Sequence, residues 1–519
     1  MTTAPPTATM APHPPTAAQT AALQELEAEF AAPQELLCNV VHGLHKSMDA
    51  GLMDMHSPRL AMLPSFIVGN ATGSEQGRCL ALDLGGTNFR VCEVVLKGRH
   101  GEYSVRQQKF PIPQSLKTAP AAQLNAFIAD GIATFLRDHA LQNEDDGNVL
   151  SSSPLDLQIS PSLGIPVAAD APVVKQVISL GYTFSFPVYQ RDLCHGELVQ
   201  WNKGFNCPGA VGQDVVAQLQ LALEARQIHV QVTALLNDTV GALVACSYRY
   251  PNTVLGAILG TGSNTAYMEK VARIPKLQTQ IKVKRPDLQQ RALEQDLEMV
   301  VNMEWGGFDN PCAIVPLNRY DQRLDEQSNN QGKQMFEKRI SGLYLGELFR
   351  LVVVDYIKSH QLFGAYTTVP DNLTIPYALD TSVVSRLVDD DTPNLVHCAQ
   401  VIKHTLGLNG LTPTDHTVLR RIAAIIAWRS ARLAGAGLGA VVLRRRDRLE
   451  ASSPENPLTI GIDGSLFEHF KTYRTTLLAA MTEIIGQEHM PSIRIALTKD
   501  GSGVGAAVAA IMSAEGSCL

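Results

Sequence analysis

Two glycine-rich hairpins of one design constrain this chain more than any other feature. Residues 80–91, LALDLGGTNFRV, run from an apolar strand through an acid, two glycines, a threonine and an asparagine before alternation resumes. Gly85 and Gly86 can take positive φ and expose backbone N–H groups, while Thr87 and Asn88 add side-chain donors, so the turn has the makings of an anion-binding nest. Asp83 falls where strand meets turn, a place that suits hydrated Mg2+, which keeps several waters and takes only one or two carboxylates. An ordinary glycine-rich hairpin has the same local signature. Residues 254–270, VLGAILGTGSNTAYMEK, repeat the plan with Gly260, Thr261 and Gly262 at the turn. Two such turns point to two related α/β lobes facing one another across a nucleotide, each giving a turn to its phosphates. The GxxxxGK[ST] loop is absent from the sequence.

Composition narrows the class. A chain of 519 residues has room for two domains or one two-lobed unit with a large core. Its 45% hydrophobic and 18% charged residues are those of a soluble globular protein. A net charge of -7 with no long basic patch argues against nucleic acid as a partner. The arginine run 444–446 reads as a solvated loop. None of the nine cysteines forms a CxxC pair, so neither a zinc site nor a disulfide framework is indicated, and a reducing cytosol fits. Residues 1–20 lack Arg, Lys and any apolar block, which reads as a disordered lead-in rather than a secretory signal. Residues 422–443 are apolar, but Arg429, Arg432 and three glycines within them favour a packed helix over a membrane span.

Along the chain, helical periodicity covers 21–51 with an interruption at Pro33, then 121–141, ahead of a Ser/Pro-rich surface excursion over 142–172. Strands are expected at 184–188 and 230–236 and helices at 238–248 and 332–359. A last cycle places strand 458–462 before helix 467–486 and strand 493–497 before helix 505–513. This alternation implies buried sheets covered by helices. The segment GSGVGA, 501–506, fits GxGxxA and raises a dinucleotide-binding alternative, but the sequence has no room for the acid expected about 20 residues further on. A glycine-lined helix N-terminus that lets another group approach its backbone is the better account.

Together with LGYTFSFP at 180–187, WNKGF at 201–205, LLNDTVGALVA at 235–245, VNMEWGGFDN at 301–310, MFEKRISGLYLGELFR at 335–350, IGIDGSLF at 460–467 and DGSGVGAA at 500–507, these hairpins resemble, in content and order, the eukaryotic hexokinases and glucokinases. The resemblance implies an α/β, two-lobed ribonuclease H-like (actin-like ATPase) fold with a central interlobe cleft. It places a lead-in over 1–20, helices packing on the large lobe over 21–79, and a small lobe over 80–237 with an inserted loop at about 142–177. A large lobe then covers 238–497, and a C-terminal helix over 498–519 returns to the small lobe. The implied reaction moves the γ-phosphate of Mg-ATP to the 6-hydroxyl of a hexose, in the cytoplasm, by a monomer or weak homodimer with no integral membrane segment.

The resemblance also assigns residues. Asp238 takes the position of the base for the sugar hydroxyl, although an aspartate opening a helix after a strand is also what a plain N-cap looks like. Lys203 lies against sugar and phosphate; by itself it passes for a surface lysine at a turn. Ser185, Asn237, Asn264, Glu304 and Glu337 fall on positions that bind sugar hydroxyls, although Glu337 also suits an exposed helix face and Asn264 a strand start. Asp83, Gly85, Gly86, Thr87, Asn88 and Arg90 join Gly260, Thr261 and Gly262 at the phosphates, Asp83 reaching Mg2+ through water. Gly464, Ser465, Gly501 and Ser502 line the adenosine. Asn202 stands where the family usually has threonine, which makes a 2-acetamido sugar such as N-acetylglucosamine an alternative substrate. A catalytically weak sugar sensor on the same scaffold is a further reading; an actin- or Hsp70-like ATPase would leave the sugar motifs unexplained.

Overall fold

The structure, a computed structural model, describes residues 14–54, 57, 60–99, 101–145, 177–201, 204–278, 290, 297–359, 363, 366 and 368–514. It divides into two compact units: unit 1 takes the described residues up to 64 and from 252 to 499, and unit 2 those from 65 to 251 and from 500 onward. The units divide at 64/65, 251/252 and 499/500, against the expected 79/80, 237/238 and 497/498, and helix Asp238–Arg249 is grouped with unit 2.

In chain order the strands are β1 Leu63–Val68, β2 Gln76–Leu84, β3 Asn88–Lys97, β4 Tyr103–Pro111, β5 Ile178–Phe184, β6 Val188–Asp192 and β7 His195–Leu198. They continue with β8 Val230–Leu236, β9 Thr253–Leu259, β10 Ser263–Lys270, β11 Glu298–Asn302, β12 Leu458–Asp463 and β13 Ile493–Leu497. Unit 2 is built on the sheet β4-β3-β2-β5-β8, an antiparallel meander β2–β3–β4 continued by the parallel strands β5 and β8. Unit 1 repeats that plan: β9, β10 and β11 form the meander, and β12 and β13 the parallel extension. The two hairpins seen in the sequence are thus the same hairpin of one topology used twice.

Burial explains why these segments fold so. In unit 2, Leu80, Leu82 and Leu84 point to one face of β2, and Leu124, Ile128, Ile132 and Phe135 line one stripe of helix Ala121–Asp145 in the same core. Each fully buried side chain of this kind contributes roughly 1.5–3 kcal/mol. In unit 1 the long helix Pro413–Arg444 starts at a capping box, Thr412 with Asp415, and Pro413 occupies its first turn. It is long and apolar enough to cross a membrane by length and composition, yet 94% of its apolar window is buried inside the structure, as expected of a core helix.

Several expectations need correction. A capping box of Thr16 and Gln19 starts the first helix at Ala17–Glu29, so residues 17–20 belong to it and not to a disordered lead-in; residues 1–13 lie outside the described residues. Most of the 142–172 excursion lies outside them too. The strand placed at 184–188 is instead the connection between β5 and β6, with Pro187, which has no N–H to give a ladder, inside it. Helix 332–359 is two helices, Met335–Ile340 and Gly342–Lys358, broken at Ser341, and helix 467–486 is likewise Ser465–His469 and Lys471–Ile485. Arg444–Arg446 is not a solvated loop. It ends the long helix, where fully buried Arg445 pairs with Glu298 and Asp447 and donates to Met268 O, and Arg444 pairs with Glu269 and Asp49; of the three, Arg446 is the exposed one.

The last described helix, Gly501–Ala514, is grouped with unit 2 whereas β13 before it belongs to unit 1, so the two do not form one dinucleotide-binding βαβ unit. Its glycines serve packing. A Cβ on Gly505 would fall 2.0 Å from Gly241 O in helix Asp238–Arg249, and one on Gly181 in β5 would fall 2.1 Å from Ala506 O. Gly505→Val should therefore force the two helices apart and lower the thermal stability of unit 2 by about 1–3 kcal/mol or more. Circular dichroism melting checks this; an unchanged melt would show that the helices separate without loss.

Candidate active site

In unit 2 the C-terminal ends of the parallel strands β2, β5 and β8 are in register, Leu84 beside Phe184 and Thr183 beside Leu236. One sheet edge therefore carries the turn 85–87, then Ser185, then Asn237 and Asp238, the edge at which open α/β sheets hold ligands. The turn closes through Gly85 N–H donating to Asn88 O at 3.0 Å, and Asn88 Nδ2 donates to Thr87 Oγ1 at 2.9 Å on the exposed tip. Neither Gly85 nor Gly86 takes positive φ, so the expected left-handed nest is not formed there, and Gly260 and Gly262 do not take it either. Ser185 is buried.

Asp83 and Arg90 face each other across the β2–β3 ladder and bond at 2.9 Å. Asp83 Oδ2 also accepts from Ser502 Oγ at 2.8 Å, and Arg90 reaches both Ser502 Oγ at 3.1 Å and Asp500. Burial opposes the charge on Arg90, but the ion pairs with Asp83 and Asp500 outweigh it and hold its guanidinium still more firmly protonated than usual. Asp500, a residue that sequence reasoning left without a role, has φ 55, a left-handed backbone that is strained for a non-glycine residue. Ser502 is thereby placed at the first hairpin, while Gly464 and Ser465, its expected companions, belong to unit 1.

The β8–helix junction separates two roles. Asn237 is the N-cap, its Oδ1 accepting from Thr239 N at 2.9 Å, and Asp238 is the first helical residue, its Oδ1 accepting from Thr239 N at 2.8 Å and Thr239 Oγ1 at 3.2 Å. Asp238 is thus not the cap. Asn202 and Lys203 lie outside the described residues. The chain on either side is anchored: Trp201 stacks on Phe205 with ring centroids 5.4 Å apart, and its Nε1 donates to Cys207 O at 3.0 Å.

In unit 1 the turn 260–262 between β9 and β10 is pinned by the helix break described above. Gly342 N–H donates to Gly260 O at 2.8 Å and Leu343 N–H to Thr261 O at 3.0 Å, and a Cβ on Gly342 would fall 2.7 Å from Gly260 O. From the end of β12, Gly464 takes φ +124 and approaches the same turn so closely that a Cβ would meet Leu259 O at 2.3 Å. Gly464 and Ser465 thus lie beside Gly260. Gly464→Ala should displace the turn and raise the KM for ATP several-fold more than that for sugar. Steady-state kinetics with each substrate varied decides it; equal changes would count against a nucleotide role for this corner.

The start of β10 gathers the acids and amides. Glu337 Oε1 accepts from Ser263 N at 3.0 Å, and Trp305 Nε1 donates to Ser263 Oγ at 3.0 Å. Asn264 Nδ2 donates to Asn302 Oδ1 at 2.8 Å and to Glu304 Oε1 at 3.2 Å, and Asn302 Nδ2 donates to the same Glu304 oxygen at 2.9 Å. Glu304 has φ 55, a second strained residue at a candidate site. Glu337 is therefore not one more charge on an exposed helix face. Asn302 was missed by sequence reasoning; its place two residues before Glu304 in VNMEW was the available signal.

Residues 22–248 and 254–512 match two family models, each described as Hexokinase. The glucokinase of Aspergillus niger is 37% identical over 495 residues, covering 91% of this chain and 92% of that one. The chain belongs to the hexokinase family. Hexokinase-1 of Spinacia oleracea is 37% identical, covering 94% of this chain and 90% of its own. Among solved structures, the hexokinase of Schistosoma mansoni complexed with glucose superposes with a TM-score of 0.76 at 29% identity, over 95% of this chain and 98% of that one. The resemblance read from the motifs, the α/β fold of two units and the sugar phosphotransferase class thus stand together. This hexokinase is an ATP-dependent hexose kinase whose substrates are a sugar and ATP.

Proposed function

We propose that this hexokinase transfers the γ-phosphate of ATP to the 6-hydroxyl of glucose or a related hexose, as the first step of sugar breakdown in the cytoplasm. The observation that carries the sugar reading is the convergence of Asn264, Glu304 and Glu337 on the start of β10, where carboxylates that accept and an amide that donates form one polar group of the kind hexose hydroxyls need. The solved relative from Schistosoma mansoni, complexed with glucose, supports that sugar class.

Asp238 is the proposed base. It stands at a strand end with one oxygen committed to Thr239, and accepting the hydroxyl proton would raise the nucleophilicity of the attacking oxygen. Thr87, Asn88 and the backbone of the turns 85–87 and 260–262 are proposed to orient phosphate oxygens, since phosphoryl transfer rests mainly on positioning and charge stabilisation. Magnesium fits Asp83: its Oδ2 is held by Arg90 and Ser502, and among the described residues no hydrogen bond reaches Oδ1, which leaves that oxygen for a metal-bound water. A bound Mg2+ would supply charge neutralisation on the phosphates. The arginine Arg90, by contrast, is committed to Asp83 and Asp500 and is proposed to fasten the hairpin to helix Gly501–Ala514.

The cytoplasmic placement rests on the sequence, whose nine cysteines include no CxxC pair and suggest no disulfide framework. A monomer or weak homodimer is proposed, checked by light scattering across a concentration series. The direct test is ADP formation by the purified protein with Mg-ATP and no sugar, glucose, fructose, mannose or N-acetylglucosamine. Turnover that depends on a hexose is the expected result; ATP hydrolysis indifferent to sugar would overturn the reading.

A further inference from the structure

The triad Asn264, Asn302 and Glu304 has a fixed polarity that starts from the backbone. Thr265 N–H donates to Asn264 Oδ1 at 2.7 Å, so the opposite end of that amide, Nδ2, must be the donor facing Asn302. Asn302 consequently presents Oδ1 to Asn264, at 2.8 Å, and turns its own Nδ2 toward Glu304, at 2.9 Å. Each orientation dictates the next, and Glu304 Oε1 ends up accepting from two amides at once. The register makes this possible: Asn302 lies opposite Ala266, so its side chain shares a face with Asn264, the diagonal neighbour. Asn302 itself is 5% exposed, too enclosed to be a principal ligand, while Glu304 is held in a left-handed backbone just beyond it.

We infer that Asn302 is a positioning residue for sugar binding: its amide fixes the rotamer of Glu304 and the orientation of Asn264, so that Glu304 is presented as a pre-organised acceptor. This rests on the reading that Glu304 and Asn264 touch the sugar. The chemistry requires an amide here and not merely a residue of that shape. An aspartate at 302 would set a carboxylate against the Glu304 carboxylate, and two such groups in contact ionise together only at a cost that lifts one of them well above its usual range. Once that group is protonated its O–H restores the missing donor. The carboxylates beside position 302 include Glu304, from the end of its own strand, and Glu337 of helix Met335–Ile340, which bonds Ser263 beside Asn264.

The test is the sugar KM and ATP KM of Asn302→Asp, Asn302→Ala and Glu304→Gln at pH 6 and pH 8, with thermal melts of each. Asn302→Asp is expected to raise the sugar KM about tenfold or more at pH 8 and to recover toward wild type at pH 6, with the ATP KM changed by no more than about twofold. Asn302→Ala, which adds no charge, should raise the sugar KM equally at both pH values. A sugar KM for Asn302→Asp that stays at the wild-type value at pH 8, or that moves together with the ATP KM at both pH values, overturns the inference. Glu304→Gln separates the two layers. If it raises the sugar KM while Asn302→Asp does not, the positioning role alone is lost; if it leaves the sugar KM unchanged, the sugar site at β10 is lost and the inference with it.

Discussion

Asp238→Ala should lower sugar phosphorylation by about 10²–10⁴-fold while sugar binding, followed by calorimetry, stays within a few-fold of wild type. The structure makes this a clean experiment because the helix that starts here is capped by its neighbour. Asn237 supplies the cap bond to Thr239 N, so removing Asp238 takes away one further acceptor and leaves the cap in place. Asn237→Ala is the matching control and should cost about 1 kcal/mol of stability, the usual loss for a removed cap. A fall in turnover for Asp238→Ala that only tracks a loss of folded protein would return that residue to a structural role, and substantial residual turnover would remove it as the base.

Arg429→Ala should destabilise unit 1 by about 3–5 kcal/mol, the range for breaking a buried ion pair by removing one partner. Arg429 and Asp321 form a two-pronged pair, both bonds at 2.6 Å, with side chains only 3% and 4% exposed. The guanidinium also lies 4.3 Å from the ring centroid of Phe30, so the substitution removes a stacking contact to the segment that follows the first helix. Asp321 would be left buried and charged. The double variant Arg429→Met with Asp321→Leu should recover much of the loss, since a matched apolar pair avoids the stranded charge. Denaturant melts of the wild type and the two variants measure both numbers; a double variant as unstable as Arg429→Ala would show that packing, not charge, sets the cost.

What the sequence disclosed and what it hid follow from the range of the interactions concerned. The hairpins at 80–91 and 254–270 were legible because an apolar run, a glycine turn and renewed alternation are all local. Asp238 and Asn237 were singled out through the resemblance, since locally Asp238 passes for an N-cap, and only the structure shows that Asn237 is the cap. The break at Ser341 was invisible because its cause is a bond from Gly342 N–H to Gly260 O, a partner 82 residues earlier in the chain. Arg444 and Arg445 were misread as solvated because Asp49, Glu269 and Glu298, which neutralise them, come from other parts of the chain. Asn302 owes its role to a strand register, which no local pattern encodes. The glycines of the two turns do not take the positive φ expected of them; a Cβ would be crowded at Gly262, 3.0 Å from Glu337 Oε1, and at Gly85, 3.3 Å from Asn88 O, contacts that no local pattern encodes.

Helix Gly501–Ala514 packs into unit 2, against β2, β5 and helix Asp238–Arg249. On the ribosome this imposes an order. Unit 2 has its strands by residue 251, but the helix that covers them emerges only after all of 252–499 has been made, a wait of about 12–50 s at roughly 5–20 residues per second. During that interval the faces of β5 and helix Asp238–Arg249 that meet Ala506 and Gly505 lack that cover, leaving nascent unit 2 with exposed apolar surface of the kind chaperones bind. A stop codon just before residue 500 would make that state permanent.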